Sequence, residues 1–195
     1  MSRTLRAILV LLLVASCGGR GSNGPAPSML DDACAILRAN PEYRRAFKTT
    51  ERRWGVPMHV QMATIHQESK FDGDARTPFR YTLGVIPMGR QSSAFGYSQA
   101  LDGTWKEYQK DTGRRSARRN NIRDATDFMG WYMDGTKDRL GISMGDARNQ
   151  YLAYHEGRTG YSRGSYKGKP WLVNVAGKVQ ARSQMYQGQL QRCRS

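Results

Sequence analysis

Apolar side chains from Leu30 onward recur at spacings of three and four, the period of helices packed against a core. Leu30, Cys34 and Leu37 mark a short first helix that Pro41 interrupts, and Glu42 to Trp54 reads as a second. Gly55-Val56-Pro57 is a break, and Pro57 suits the opening of a third helix from Met58 to about Ser69. Residues 72–100 lose the helical period and are rich in Gly, Pro and aromatics, with Tyr81 to Ile86 reading as a strand in an irregular or hairpin segment. Helices resume at Thr104 to Lys110, Ile122 to about Leu140, Asp146 to Glu156 and Trp171 to Arg192. The pattern predicts one mainly α domain over residues 29–195, with no internal repeat. The run Arg114-Arg115, Arg118-Arg119 reads most simply as a solvated loop.

The segment before residue 29 has a different character. Arg3 and Arg6 precede the apolar run Ala7 to Val14, and Ala15-Ser16-Cys17 follows, the layout of a secretory signal over residues 1–16. The run is too short to span a bilayer. Val14-Ala15-Ser16-Cys17 also has the form of a bacterial lipobox, in which Cys17 is acylated and becomes the new N-terminus; the alternative is an ordinary cleavable signal with a cysteine nearby. Gly18 to Pro27 reads as the flexible spacer of a tethered domain, so residues 17–28 are expected to be a linker from lipidated Cys17. Gly18 after that cysteine resembles the pattern sorted to an outer membrane, which places the protein in the cell envelope, facing the periplasm.

Charge and cysteines take their meaning from export. The 195 residues carry 31 Lys+Arg against 16 Asp+Glu, a net charge of +15, which calls for an anionic partner. Loss of residues 1–16 leaves +13. An exported chain does not ordinarily meet nucleic acid, so a cell-wall polymer or phospholipid surface is the expected partner. Beyond Cys17 there remain Cys34 and Cys193, an even pair in an oxidising compartment, expected as a disulfide near the two ends of the domain, with two buried thiols as the alternative. Cys193 continues the stripe Val175, Val179, Tyr186, Leu190 of the last helix.

Several catalytic patterns fail on their spacing. Gly96-Tyr97-Ser98-Gln99-Ala100 has Ala100 where a nucleophile elbow needs glycine. His155-Glu156 opens like a zinc-protease helix, but Thr159 stands where the second His belongs. His59 and His66 have no evident third ligand, so neither a metal nor a cofactor is expected. Glu68 is different. It is one of only five Glu in the chain and lies at the C-terminal end of a largely apolar helix, at the edge of the face formed by Met58, Met62, Ile65 and Ser69. The negative end of the helix dipole and desolvation both raise a carboxyl pKa. An acid that stays protonated near neutral pH is what glycosidic-bond cleavage requires.

Gln67-Glu68-Ser69-x-Phe71 resembles the first motif of the lytic transglycosylases related to goose-type lysozyme. Ala94-Phe95-Gly96-Tyr97-Ser98-Gln99 is similar to their Gly-Leu-Met-Gln motif, with Gly96 and Gln99 retained. Ala153-Tyr154-His155-Glu156-Gly157 resembles their Ala-Tyr-Asn-Ala-Gly, and Trp171-Leu172-Val173-Asn174-Val175 their Tyr-Val-x-x-Val. The four fall in the family's order over residues 54–190. The resemblance implies a lysozyme-like helical fold with a groove for peptidoglycan glycan strands, and one acid/base residue, which maps onto Glu68. It implies cleavage between N-acetylmuramic acid and N-acetylglucosamine with closure of a 1,6-anhydro ring. It also implies that Gln99 and backbone near Gly96 hold sugar amides, that Tyr154 orients Glu68 or substrate, and that Ser69 supports Glu68, with Tyr97 and His155 at the glycan. The sequence departs from the motifs at Tyr97-Ser98, His155 and Glu156. Asp72, Asp74, Asp102 and Glu156 are the carboxylates that could instead activate water in a muramidase of the same fold. A non-catalytic peptidoglycan-binding lipoprotein is the remaining alternative, and no protein partner is indicated.

Overall fold

A computed structural model describes residues 24–82 and 86–193, with the side chains of residues 80–82, 86 and 87 left aside. The expected signal and the Cys17 lipidation site lie outside the described residues. Among the described residues, seven α-helices and one hairpin follow in order: α1 (Ala33–Ala39), α2 (Pro41–Trp54), α3 (Met58–Ser69), β1 (Phe79–Thr82), β2 (Ile86–Arg90), α4 (Asp102–Asp111), α5 (Ile122–Leu140), α6 (Ala147–Ser162) and α7 (Pro170–Arg192). The fold is mainly helical, as the pattern predicts.

Local chemistry sets most of the boundaries. The Asp32 carboxylate accepts the Ala35 N–H at the start of α1, and Pro41 occupies the first turn of α2, where its missing N–H costs nothing. Gly55, at φ +74°, ends α2 in the left-handed conformation that glycine adopts without strain. Asn121 and Asp146 cap α5 and α6 through their side chains. The hairpin is antiparallel, pairing Phe79 with Arg90 and Thr82 with Ile86.

The packing places α3 at the centre. It lies chiefly on α7, while α2 lies on α5 and α6 spans from α5 to α7. α3 is buried on nearly every side, Gln61, Thr64 and His66 included, so it lacks the two-faced character of a surface helix. Its buried polar groups bond to backbone: Gln61 Nε2 donates to the Phe47 and Val56 carbonyls, and the Thr64 hydroxyl to Val60 O. Val179 and Tyr186 of the expected α7 stripe are buried, and Val175 and Leu190 pack against the same core. Cys34 and Cys193 are joined, Cα to Cα 5.6 Å, tying α1 to the end of α7. Loops of this length are stabilised by roughly 5 kcal/mol in the chain-entropy account.

Three expectations need correction. The spacer does not run to residue 28: Pro25 is buried, and a Cβ on Gly24 would stand 2.4 Å from the Phe71 carbonyl. α6 does not stop at Glu156. It resumes beyond a kink at Gly157 (φ +75°, ψ 153°), a conformation that glycine alone adopts readily, and reaches Ser162. The arginine run is not simply solvated. Arg114 pairs with Asp124 (2.7 Å) and Asp127 (3.2 Å), and Arg119 pairs with Asp102 (2.7 Å) while donating to the Ser93 and Ala100 carbonyls.

Candidate active site

Glu68 is the penultimate residue of α3, and the turn after it is unusual. Among the described residues, the non-glycine positions with positive φ are Lys70 (54°), Phe71 (64°) and Gln99 (48°), all within or beside the first two motifs. Such backbone persists only where packing over-determines it. Phe71 is fully buried and stacks on Tyr43 with ring centroids 5.8 Å apart, and Tyr43 meets the Tyr97 ring edge-on. The chain leaving Glu68 is thus pinned to α2 and to the second motif.

The second motif forms a tight loop built around Gly96. At φ +77° this residue passes so close to residue 119 that a Cβ would sit 2.2 Å from the Arg119 carbonyl. Gly96 N donates to Ala75 O, and Tyr97 N to Arg119 O. Gln99 Nε2 donates to the Ala75 and Gly96 carbonyls at 3.0 and 2.8 Å. Arg119 clasps the loop from outside through Ser93 O and Ala100 O.

α6 supplies the third wall. The Tyr154 hydroxyl donates to Ser98 O at 2.7 Å and so bolts α6 to the loop. One turn earlier, the hydroxyl of buried Tyr151 hydrogen-bonds to the Glu68 carboxyl. The Glu68 charge also bears on Tyr154, and burial together with that charge holds both phenols protonated, well above their ordinary pKa. Burial in turn raises the Glu68 carboxyl to about 7, against the smaller opposing pulls of the Tyr151 hydrogen bond and Lys70. Glu68 keeps a partly exposed edge, so it is both desolvated and reachable.

A pocket of about 250 Å3 opens beside these residues, lined by Gln99, Phe128, Tyr132, Tyr154, His155 and Glu156 among others. Tyr154 lies on this wall, near enough to Glu68 for that charge to act on its hydroxyl. Glu156 is locked rather than poised. Lys169 Nζ donates to both its oxygens at 2.8 and 3.0 Å, the Ser165 hydroxyl donates to it, and its pKa is held down at about 2 by those two partners above all. His155 is exposed, with Nδ1 3.2 Å from Glu156 and its ring edge-on to exposed Trp171 at 5.3 Å.

The structure therefore brings Glu68, Gln99, Tyr154 and His155 to one corner and changes the parts of several expected residues. Ser69 does not brace Glu68; its hydroxyl donates back to Ile65 O at 3.3 Å within α3. Tyr97 does not face the glycan side. It is 5% exposed, and its hydroxyl pairs with that of Tyr43 at 3.2 Å. The N–H and carbonyl of Gly96 are engaged inside the protein, and Gln99 has its amide nitrogen tied to backbone, leaving its oxygen as the group open to a ligand. Of the other carboxylates, Asp102 is paired with Arg119, and Asp72 accepts the Asp74 N–H. Sequence reading missed Tyr151, although its position three residues before Tyr154 puts the two phenols on one helix face.

The chain matches the family model described as the transglycosylase SLT domain over residues 5–193 and belongs to that family. No curated protein matches it.

Proposed function

We propose that this member of the transglycosylase SLT family cleaves the peptidoglycan bond between N-acetylmuramic acid and N-acetylglucosamine, with Glu68 as its single general acid and base. The observation that carries the reading is the Glu68 carboxyl, raised to about 7 by burial and held by Tyr151 beside a pocket with aromatic walls. Protonated Glu68 gives its proton to the oxygen linking the two sugars as the C1–O bond breaks and N-acetylglucosamine departs. The muramoyl 6-hydroxyl then attacks C1, its proton returns to the Glu68 carboxylate, and the product is a 1,6-anhydromuramoyl end. Because this nucleophile belongs to the substrate, no second carboxylate is required. The grip of Lys169 and Ser165 on Glu156 favours this route over hydrolysis: a carboxylate with a pKa of about 2 is a weak base toward water.

Digestion of purified peptidoglycan followed by mass analysis of the muropeptides tests the route. Anhydromuramoyl ends are expected; reducing ends in their place would make the protein a muramidase and remove the intramolecular step.

The proposal extends to location: Cys17 tethers the domain to the membrane of the envelope, in the arrangement the lipobox suggests. A Cys17→Ala variant should move from the membrane to the soluble fraction of cells. Unchanged membrane fractionation would sink the tether.

A further inference from the structure

A second pocket, of about 500 Å3, lies between α3 and α7. Its α3 wall is Ala63, His66 and Gln67, which share one helix face, with Lys70 at the helix C-cap beside them, and Glu68 projects roughly 150° around the axis from that face at 3.6 residues per turn. The pocket is therefore turned away from the glycan-cleaving corner, and nothing in the proposed reaction uses it.

Its polar lining consists almost wholly of hydrogen-bond donors. Lys70 Nζ donates to His66 O at 2.8 Å and stands 3.4 Å from His66 Nδ1. An ammonium only donates, so Nδ1 accepts and the ring proton resides on Nε2. His66 is 7% exposed, yet its Nε2 has no hydrogen-bond partner among the described residues, which leaves a donor for an occupant of the pocket it lines. From α7 come Lys178, exposed and without an ion pair among the described residues, and Arg182, which donates to Leu30 O and Asp31. The charges that meet here are Lys70, Lys178 and Arg182 against Asp31, a surplus of two positive charges. Burial, reinforced by the Lys70 and Arg182 charges, lowers His66 to about 4 and keeps its ring neutral, a donor that adds no charge.

We propose that this pocket binds a phosphate dianion, free or as the phosphomonoester of a lipid headgroup. Two surplus charges match a dianion. The lysine ammoniums supply the point-charge donors such groups take, and the neutral His66 Nε2–H supplies a further hydrogen bond at the floor. The residues just before α1 run along this face, Leu30 O accepting from Tyr186 and Arg182.

Titration of the full chain carrying Cys17→Ala with inorganic phosphate at slightly alkaline pH, followed by NMR of the His66 ring and the α7 amides, tests the site. Saturable shifts at His66 and Lys178 are expected, with affinity about tenfold weaker in Lys178→Glu and an intermediate loss in Lys178→Gln. Peptidoglycan cleavage should be unchanged in both variants, which separates this site from the proposed activity. Co-sedimentation with phosphatidylcholine vesicles, with and without phosphatidic acid, identifies the source. Retention that needs phosphatidic acid and falls in Lys178→Glu supports a headgroup ligand, and phosphate shifts without such retention support a soluble one. Non-saturating shifts, or equal phosphate affinity in wild type and Lys178→Glu, would overturn the proposal.

Discussion

Glu68→Gln is expected to lower the rate of glycan cleavage by roughly 10²–10⁴-fold, the range typical of a general acid–base group, while the fold is retained. Glutamine matches the shape of the side chain and can accept the Tyr151 hydroxyl, but it has no acidic proton to give. The pH profile carries the second half of the same prediction. The acid must be protonated to act, so the wild-type rate should fall as pH rises through about 7. Stability follows the same titration. A carboxyl raised in the folded state holds its proton more tightly there than in the unfolded chain. Its contribution is complete below the ordinary carboxyl range near pH 4.5 and is lost as pH climbs toward 7. Above pH 7, Glu68→Gln should thus be more stable than wild type by up to about 3 kcal/mol, with the difference vanishing in mild acid. Urea unfolding of both proteins at the two pH values measures this. A variant that keeps full activity, or shows no pH-dependent gain, would remove Glu68 from the role of buried acid.

The largest expected loss of stability lies elsewhere. Asp127 on α5 is 4% exposed and collects five contacts from four residues: Arg53 Nη1 at 3.1 and 3.2 Å, Trp54 Nε1 at 2.9 Å, the Tyr108 hydroxyl at 2.7 Å and Arg114 Nη1 at 3.2 Å. These partners come from α2, α4 and the loop after α4, so the carboxylate ties three parts of the chain to α5. Asp127→Ala should cost about 3–5 kcal/mol, because it strands the Tyr108 and Trp54 donors and unpairs two arginines; both arginines are partly exposed, so the loss falls mainly on the Trp54 and Tyr108 bonds. At this chain length the midpoint of thermal unfolding should drop by roughly 10 °C or more. Asp127→Asn, which still accepts from Trp54 or Tyr108, should lose less. Thermal and urea unfolding compare the three proteins, and a loss under about 1 kcal/mol for the alanine variant would show that the network is dispensable.

That network shows where sequence reading reached its limit. Arg114 and Arg119 look like surface charge along the chain because their partners, Asp124, Asp127 and Asp102, come into reach only when α4, α5 and the loop between them pack together. Tyr97 fell into the same class. Its place in a glycan-binding motif suggested exposure, and the core beneath α2 took it instead, because Tyr43 and Phe71 leave a ring-sized slot there. Gln99 stands where the motif implies a ligand group, yet its amide nitrogen serves the loop that carries it. The α3 helix itself was legible, but not its central position: a helix buried all round has no amphipathic signature to announce where it sits.

What the chain determined by itself was local. The spacing of apolar residues set the helices; Pro41, Gly55 and the Asp and Asn caps set their ends; and two cysteines at the ends of the domain marked the staple. The position of Glu68 at the end of an apolar helix marked it as the carboxyl most easily raised. The tertiary structure decided what surrounds that carboxyl. Tyr151 and Tyr154 are some eighty residues away in sequence, and the clamp of Lys169 on Glu156 depends on the turn after α6. Desolvation and charge pairing depend on distances through space, and the packing of α3 against α6 and α7 sets those distances.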